Sequence, residues 1–300
     1  MNRKYIERQS LLVSVFVNFI IGMAGLLVYI VTNLNALLLD GVFSLIAFVS
    51  SLAALYISKN SHRTTESFPN GMYFLEPLYG ILKSIATLLL LVITLLETSA
   101  SAYAYFVHQE GQAMVTGPVL PYTIAMVLLC FGLGAYNSNQ NRKINHMSTM
   151  LAAESRGNYI DGLISAGVGV AIIGLSLVDI QGPIGFLHYT GDFFITLILV
   201  IISLKEPISV LANSFKEFAR STIQGNHIHD KVLEIFHQVL NSQADKLDIL
   251  VFKQGMYIKV KIYILTPDDA QLIENLASKK SQFIDLLEQE FDHCSLEFSF

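Results

Sequence analysis

Two short segments, Asp40-Gly41-Val42-Phe43-Ser44 and Asp161-Gly162-Leu163-Ile164-Ser165, repeat one pattern of acid, glycine, two apolar residues and serine. Both sit in long apolar stretches, where an ionisable group costs a few kcal/mol and therefore marks a working site by default. On a helix the i,i+4 spacing sets each serine one turn beyond its aspartate on the same face. Asn33 lies two turns before Asp40, and Asn158 nearly one turn before Asp161, so each helix carries a polar stripe. Two carboxylates (Asp40, Asp161) with hydroxyl and amide oxygens (Ser44, Ser165, Asn158) make a site for a hard cation. Such an all-oxygen set suits Mn²⁺, Fe²⁺ or Mg²⁺ better than Zn²⁺, because imidazole and thiolate are the softer ligands. The plainer alternative is helix packing, with Gly41 and Gly162 allowing close approach. It accounts for the serines as well as metal binding does, and for the aspartates less well. Asp179 and Asp192 read as solvated near the span ends, and Glu97 is open to either reading.

The elements that must position these groups follow from where charge is missing. The 300 residues are 53% hydrophobic and 14% charged, with mean hydropathy +0.52, against about 25% charged in ordinary soluble domains. Lys and Arg are absent between Arg8 and Lys59, between Lys83 and Arg142, and between Arg156 and Lys205. Each gap holds a pair of bilayer crossings of about 20 residues. We expect a membrane α-helical protein with six transmembrane helices, at Leu11–Thr32, Leu34–Ser58, Leu75–Val107, Val119–Asn137, Asn158–Val178 and Tyr189–Leu204. The first stretch exceeds a signal peptide's apolar region and lacks a small-residue cleavage site, so it reads as an uncleaved helix. The links at Asn33, His108–Pro118 and Asp179–His188 carry no Lys or Arg. The opposite side carries Arg3, Lys4, Arg8, Lys59, Arg63, Arg142, Lys143 and Lys205. The positive-inside rule then makes both termini cytoplasmic.

After Lys205-Glu206-Pro207 the character changes, which divides the chain into residues 1–205 in the membrane and 206–300 outside it. Asp230–Leu240 has helical apolar spacing. Leu247–Phe252 and Met256–Ile264 read as strands, the second with Ile258, Val260, Ile262 and Ile264 on one face. A helix begins near Pro267-Asp268-Asp269 and a closing strand holds Leu296, Phe298 and Phe300. The order αββαβ describes a small cytoplasmic α+β C-terminal domain. Cys130 and Cys294 form no disulfide framework. The net charge of −5 and the lack of a basic patch argue against nucleic acid. No HExxH, nucleophile elbow or P-loop suggests an enzyme.

Local motifs resemble the cation diffusion facilitator (cation efflux) family over nearly the whole chain. The resemblance rests on Leu37 through Ser44, on Phe68-Pro69-Asn70-Gly71 with Glu76-Pro77-Leu78, on Ala153-Glu154 through Asn158 to Asp161, and on Asp192. It implies a metallochaperone-like C-terminal domain, a homodimer, and a secondary transporter that exports a divalent cation in exchange for protons. The two aspartates would bind the cation when ionised and carry protons on the return, since a carboxylate in low dielectric has a raised pKa. Partners are then a divalent metal ion, protons and the lipid bilayer; Mn, Fe, Mg or Zn is cargo, and no resident cofactor is implied. The expected location is the bacterial inner (plasma) membrane, as a multi-pass protein. Two of the family's four usual ligand positions differ here: Ser44 replaces one and Gly157 leaves another without a side chain. Asn158, beside Gly157, is placed to supply an oxygen. These departures keep a second reading open, a non-transporting regulatory or scaffold member. In the tail, His227, His229, His237, Asp292, His293 and Cys294 read either as a regulatory metal site or as solvated side chains, and their spacing matches no zinc motif.

Overall fold

A computed structural model describes residues 3–32, 35–110, 119–179, 181–225, 227–240, 244, 246–266 and 269–299. At 29, 31–32, 35–43, 119, 168, 171–172, 175–176, 192, 195 and 199 it describes the backbone alone. The described residues open with long helices: α1 (Arg3–Thr32), α2 (Asn35–Asn60), α3 (Leu75–Tyr103), α4 (Val119–Lys143), α5 (Thr149–Ser176) and α6 (Leu187–Ser203). Among the described residues, four stretches are long and apolar enough to cross a membrane: Arg3–Val28, Leu75–His108, Leu120–Lys143 and Leu187–Phe218. Ser44–Asn60 of α2 is a shorter apolar stretch. Helices suit this setting because each satisfies its own backbone hydrogen bonds.

Helix boundaries extend beyond the hydrophobic runs where polar residues cap them. α5 starts at Thr149, well before the expected Asn158, because Ser148 Oγ accepts the Leu151 N–H at 3.0 Å, as an N-cap serine does. Asn141 braces the same turn, its Oδ1 accepting the Ser148 N–H and its Nδ2 donating to the Ser148 carbonyl, both at 3.1 Å. α3 continues through a π-helical turn at Ala104–His108.

The expected change at Lys205 is a change of helix and not an end to helix. α7 (Lys205–Phe218) follows α6 after Leu204, with Pro207 in its first turn, where a missing N–H costs nothing. It lies along α3. The boundary drawn at 205/206 thus falls one residue inside α7.

Beyond α7 the chain forms α8 (His227–Leu240), β1 (Leu247–Gln254), β2 (Tyr257–Ile264), α9 (Ala270–Ser278), α10 (Lys280–Glu290) and β3 (His293–Ser299). β2 is central, antiparallel to β1 and parallel to β3. Ile258, Val260, Ile262 and Ile264 are buried on one face, against Phe236 and Phe283 among others. The second helix of the αββαβ order is broken at Lys279 into α9 and α10, and Asp269 caps α9 by accepting the Leu272 N–H. Its expected start at Pro267-Asp268 lies outside the described residues.

Candidate functional site

The two acid-serine segments lie on α2 and α5, and a column of buried polar contacts fixes how those helices run past each other. At one end Glu7 of α1 is fully buried; Ser58 of α2 donates to its Oε2, and Ser148, just ahead of α5, donates to its Oε1 at 2.5 Å. Further along, Glu154 of α5 accepts from Ser51 Oγ of α2 at 2.9 Å, and Asn18 of α1 donates to Ser51 Oγ at 2.9 Å. Stepping back along α2 from Ser58 to Ser51 therefore matches stepping forward from Ser148 to Glu154. The two helices are antiparallel.

A rise of about 1.5 Å per residue extends that register. Ser44 lies as far beyond Ser51 as Asp161 lies beyond Glu154, about 10 Å in each case. Asp40 and Ser165 lie one turn further, about 16 Å from the same contact. Ser44 and Asp161 therefore occupy one level, and Asp40 and Ser165 the next. Asp161 is exposed in the single chain, Ser44 is half-buried and Ser165 is buried. The Asp40 side chain lies outside the described residues, as does that of Asp192. Asn158 is buried, and its Nδ2 donates to the Glu154 carbonyl at 2.9 Å, which leaves its carbonyl oxygen as the ligand-type atom.

Gly157, the position without a side chain, is covered by Lys83. A Cβ at Gly157 would lie 3.1 Å from Lys83 Cε and 3.6 Å from its Nζ. The ammonium is paired with Glu154, which also accepts from Tyr79 Oη. Ser50 is in hydrogen-bond contact with Tyr79 Oη at 3.2 Å. Glu154 thus joins α2, α3 and α5 directly and α1 through Ser51. Sequence reasoning used Glu154 and Glu76 only as motif markers and Lys83 only as the edge of a charge gap. The signal that finds this column is the heptad spacing of Ser44, Ser51 and Ser58, which continues the Asp40-Ser44 face along α2.

The tail residues do not gather. Among the described residues no three His, Cys, Asp or Glu side chains are placed to hold a metal ion. His229 faces Asp230 at 3.6 Å, His293 lies against the Tyr73 ring, and Asp292 accepts the Arg3 backbone N–H. Burial holds the His293 ring below its ordinary pKa and pushes the Cys294 thiol up to about 11.

An apolar helical bundle threaded by acids, hydroxyls and an ammonium defines an integral membrane protein that handles charge within its helices. Residues 11–219 match the family described as the cation efflux transmembrane domain. The chain belongs to that family, whose members are metal-cation efflux transporters and not enzymes. No curated protein sequence matches the chain.

Proposed function

We propose that this protein exports a divalent cation from the cytoplasm in exchange for protons. The cation binds between α2 and α5, at Asp40 and Asp161, with Ser44, Ser165 and Asn158 as neutral oxygen donors. Six spans, cytoplasmic termini, a homodimer and the bacterial inner membrane complete the reading. The observation that supports it is the antiparallel register, which brings Ser44 level with Asp161 and Asp40 level with Ser165. Each level then has one carboxylate and one hydroxyl. Oxygen donors of this kind suit Mn²⁺, Fe²⁺ or Mg²⁺ ahead of Zn²⁺.

One observation favours the second reading, a non-transporting regulatory or scaffold member. Lys83, paired with Glu154, fills the space beside Gly157, one turn from Asp161, and so occupies the place of a missing ligand. Flux separates the two. Purified protein in proteoliposomes, given a proton gradient and each divalent cation in turn, should accumulate at least one of them. Asp40→Ala and Asp161→Ala should each abolish that flux, and the double variant should be no worse than either, because residues acting as one unit are strongly non-additive. Normal flux in Asp40→Ala would remove the proposed site, and no flux of any cation in the native protein would favour the scaffold.

A further inference from the structure

Where α1, α3 and the C-terminal domain meet, three buried charges do not balance. Lys4 Nζ lies 2.6 Å from Glu7 Oε2 and 2.6 Å from Glu76 Oε1. Both carboxylates have no exposed surface, and the Lys4 side chain is 11% exposed. Two carboxylates against one ammonium leave one negative charge without a partner if both acids are ionised. A buried uncompensated charge is among the costliest arrangements a protein can hold, and a carboxyl group avoids it by keeping its proton.

The hydrogen bonds show which acid does so. Glu7 is used on both oxygens, by Ser148 on Oε1 and by Ser58 and Lys4 on Oε2. Glu7 thus meets three donors, and neither of its oxygens is orphaned. Glu76 takes Lys4 and Ser61 on Oε1, the latter at 2.7 Å, while its Oε2 is buried with no hydrogen-bond partner. That oxygen faces the β1–β2 turn, where a Cβ at Gly255 would lie 2.5 Å from it. Gly255 has φ +62°, and its backbone runs too close for a hydrated ion to stand between.

We infer that this junction is a proton-binding site: Glu76 carries a proton while the C-terminal domain is seated on α1 and α3, and loss of that proton releases the hairpin. Ionised, Oε2 would press an unshared charge against the Gly255 turn, and moving the hairpin away lets water reach it. Among the described residues, the neighbouring groups supply no second cation to Glu76. Lys253 is tied to Glu217 at 2.6 Å, Glu217 also accepts the Gly255 N–H at 2.8 Å, and the Arg3 guanidinium is held by the Glu290 carbonyl. Asp292 adds a further acid on the β3 side, bonded to the Arg3 backbone. Tyr73 stacks on Tyr257 at 5.3 Å, and burial keeps its hydroxyl protonated well above the usual range. His62 lies exposed on the α2–α3 loop.

His293, also against Tyr73, works in the opposite sense. Burial lowers its pKa from the ordinary 6.5, so its contribution to the seated state is complete above that value and is lost as pH falls. Alkaline pH therefore isolates Glu76. The inference does not depend on where the transported cation binds.

The chain has no tryptophan, so Tyr257→Trp places its one indole at the interface, stacked on Tyr73, and red-edge excitation selects it over the tyrosines. In the full-length protein in nanodiscs, its emission should shift to the red as pH is raised from 7 to 9.5. Glu76→Gln has the shape of the protonated acid and cannot ionise, so its emission should stay at the pH 7 position throughout. Glu7→Gln removes the neighbouring anion that favours the proton on Glu76, and should move the midpoint to lower pH. A flat signal in the Tyr257→Trp protein, or an unchanged transition in Glu76→Gln, would overturn the proposal.

Discussion

At the scale of single residues, Lys83 and Glu154 carry the energetics of the membrane core. Both side chains are almost entirely buried. Breaking such a pair from one side costs about 3–5 kcal/mol, because the remaining charge is left alone in low dielectric. Lys83→Met should therefore lower the melting temperature in detergent sharply, although Ser51 and Tyr79 would still donate to Glu154. Lys83→Met/Glu154→Gln should recover most of that loss, since no unpaired charge remains. Equal losses in the single and double variants would show that the side chains matter for shape and not for charge. Asp40 and Asp161 stand out in the sequence, because an acid in an apolar run is conspicuous alone. The Lys83–Glu154 pair does not. Its two members stand 71 residues apart, and only the packing of α3 on α5 brings them together.

At the scale of elements, small residues set how closely the helices approach. A Cβ at Gly80 of α3 would overlap Ser214 of α7, whose Oγ is buried without a hydrogen-bond partner. Rotating Ser214 Oγ aside still leaves its Cβ 3.1 Å away, so Gly80→Ala pushes α7 outward, with the usual overpacking cost of about 1–3 kcal/mol. Gly80→Ala with Ser214→Gly returns the missing volume and should recover the native melting temperature. If the second change gave no recovery, the contact would not control the α3–α7 distance. The strands of the tail were plain in advance, since alternation over eight residues sorts Ile258, Val260, Ile262 and Ile264 to one side. The fate of Lys205-Glu206-Pro207 was not. A charged, proline-containing stretch reads as a break, yet at the first turn of a helix proline is tolerated, and the chain simply continues as α7.

At the scale of the whole molecule, the charge map and the polar column make the same demand on orientation. The Lys4–Glu7–Glu76 junction joins the α1 start, the α2 end, the α3 start and the C-terminal domain on one side. The exposed loop after α2 carries Arg63 on that side. The link between α5 and α6 lies at the far end of the bundle and holds no Lys or Arg. The proposed orientation, by the positive-inside rule, has the junction on the cytoplasmic side and the far link outside. Single cysteines at exposed Glu66 and Gln181 test this in a background lacking Cys130 and Cys294. An impermeant thiol reagent applied to intact cells should label Gln181→Cys and leave Glu66→Cys unmodified until the membrane is opened. The reverse pattern would invert the transporter and turn export into import. Labelling at both positions would mean that α3 to α5 do not cross the bilayer three times, and the antiparallel register from Ser58 and Ser148 to Ser44 and Asp161 would then have no membrane to span.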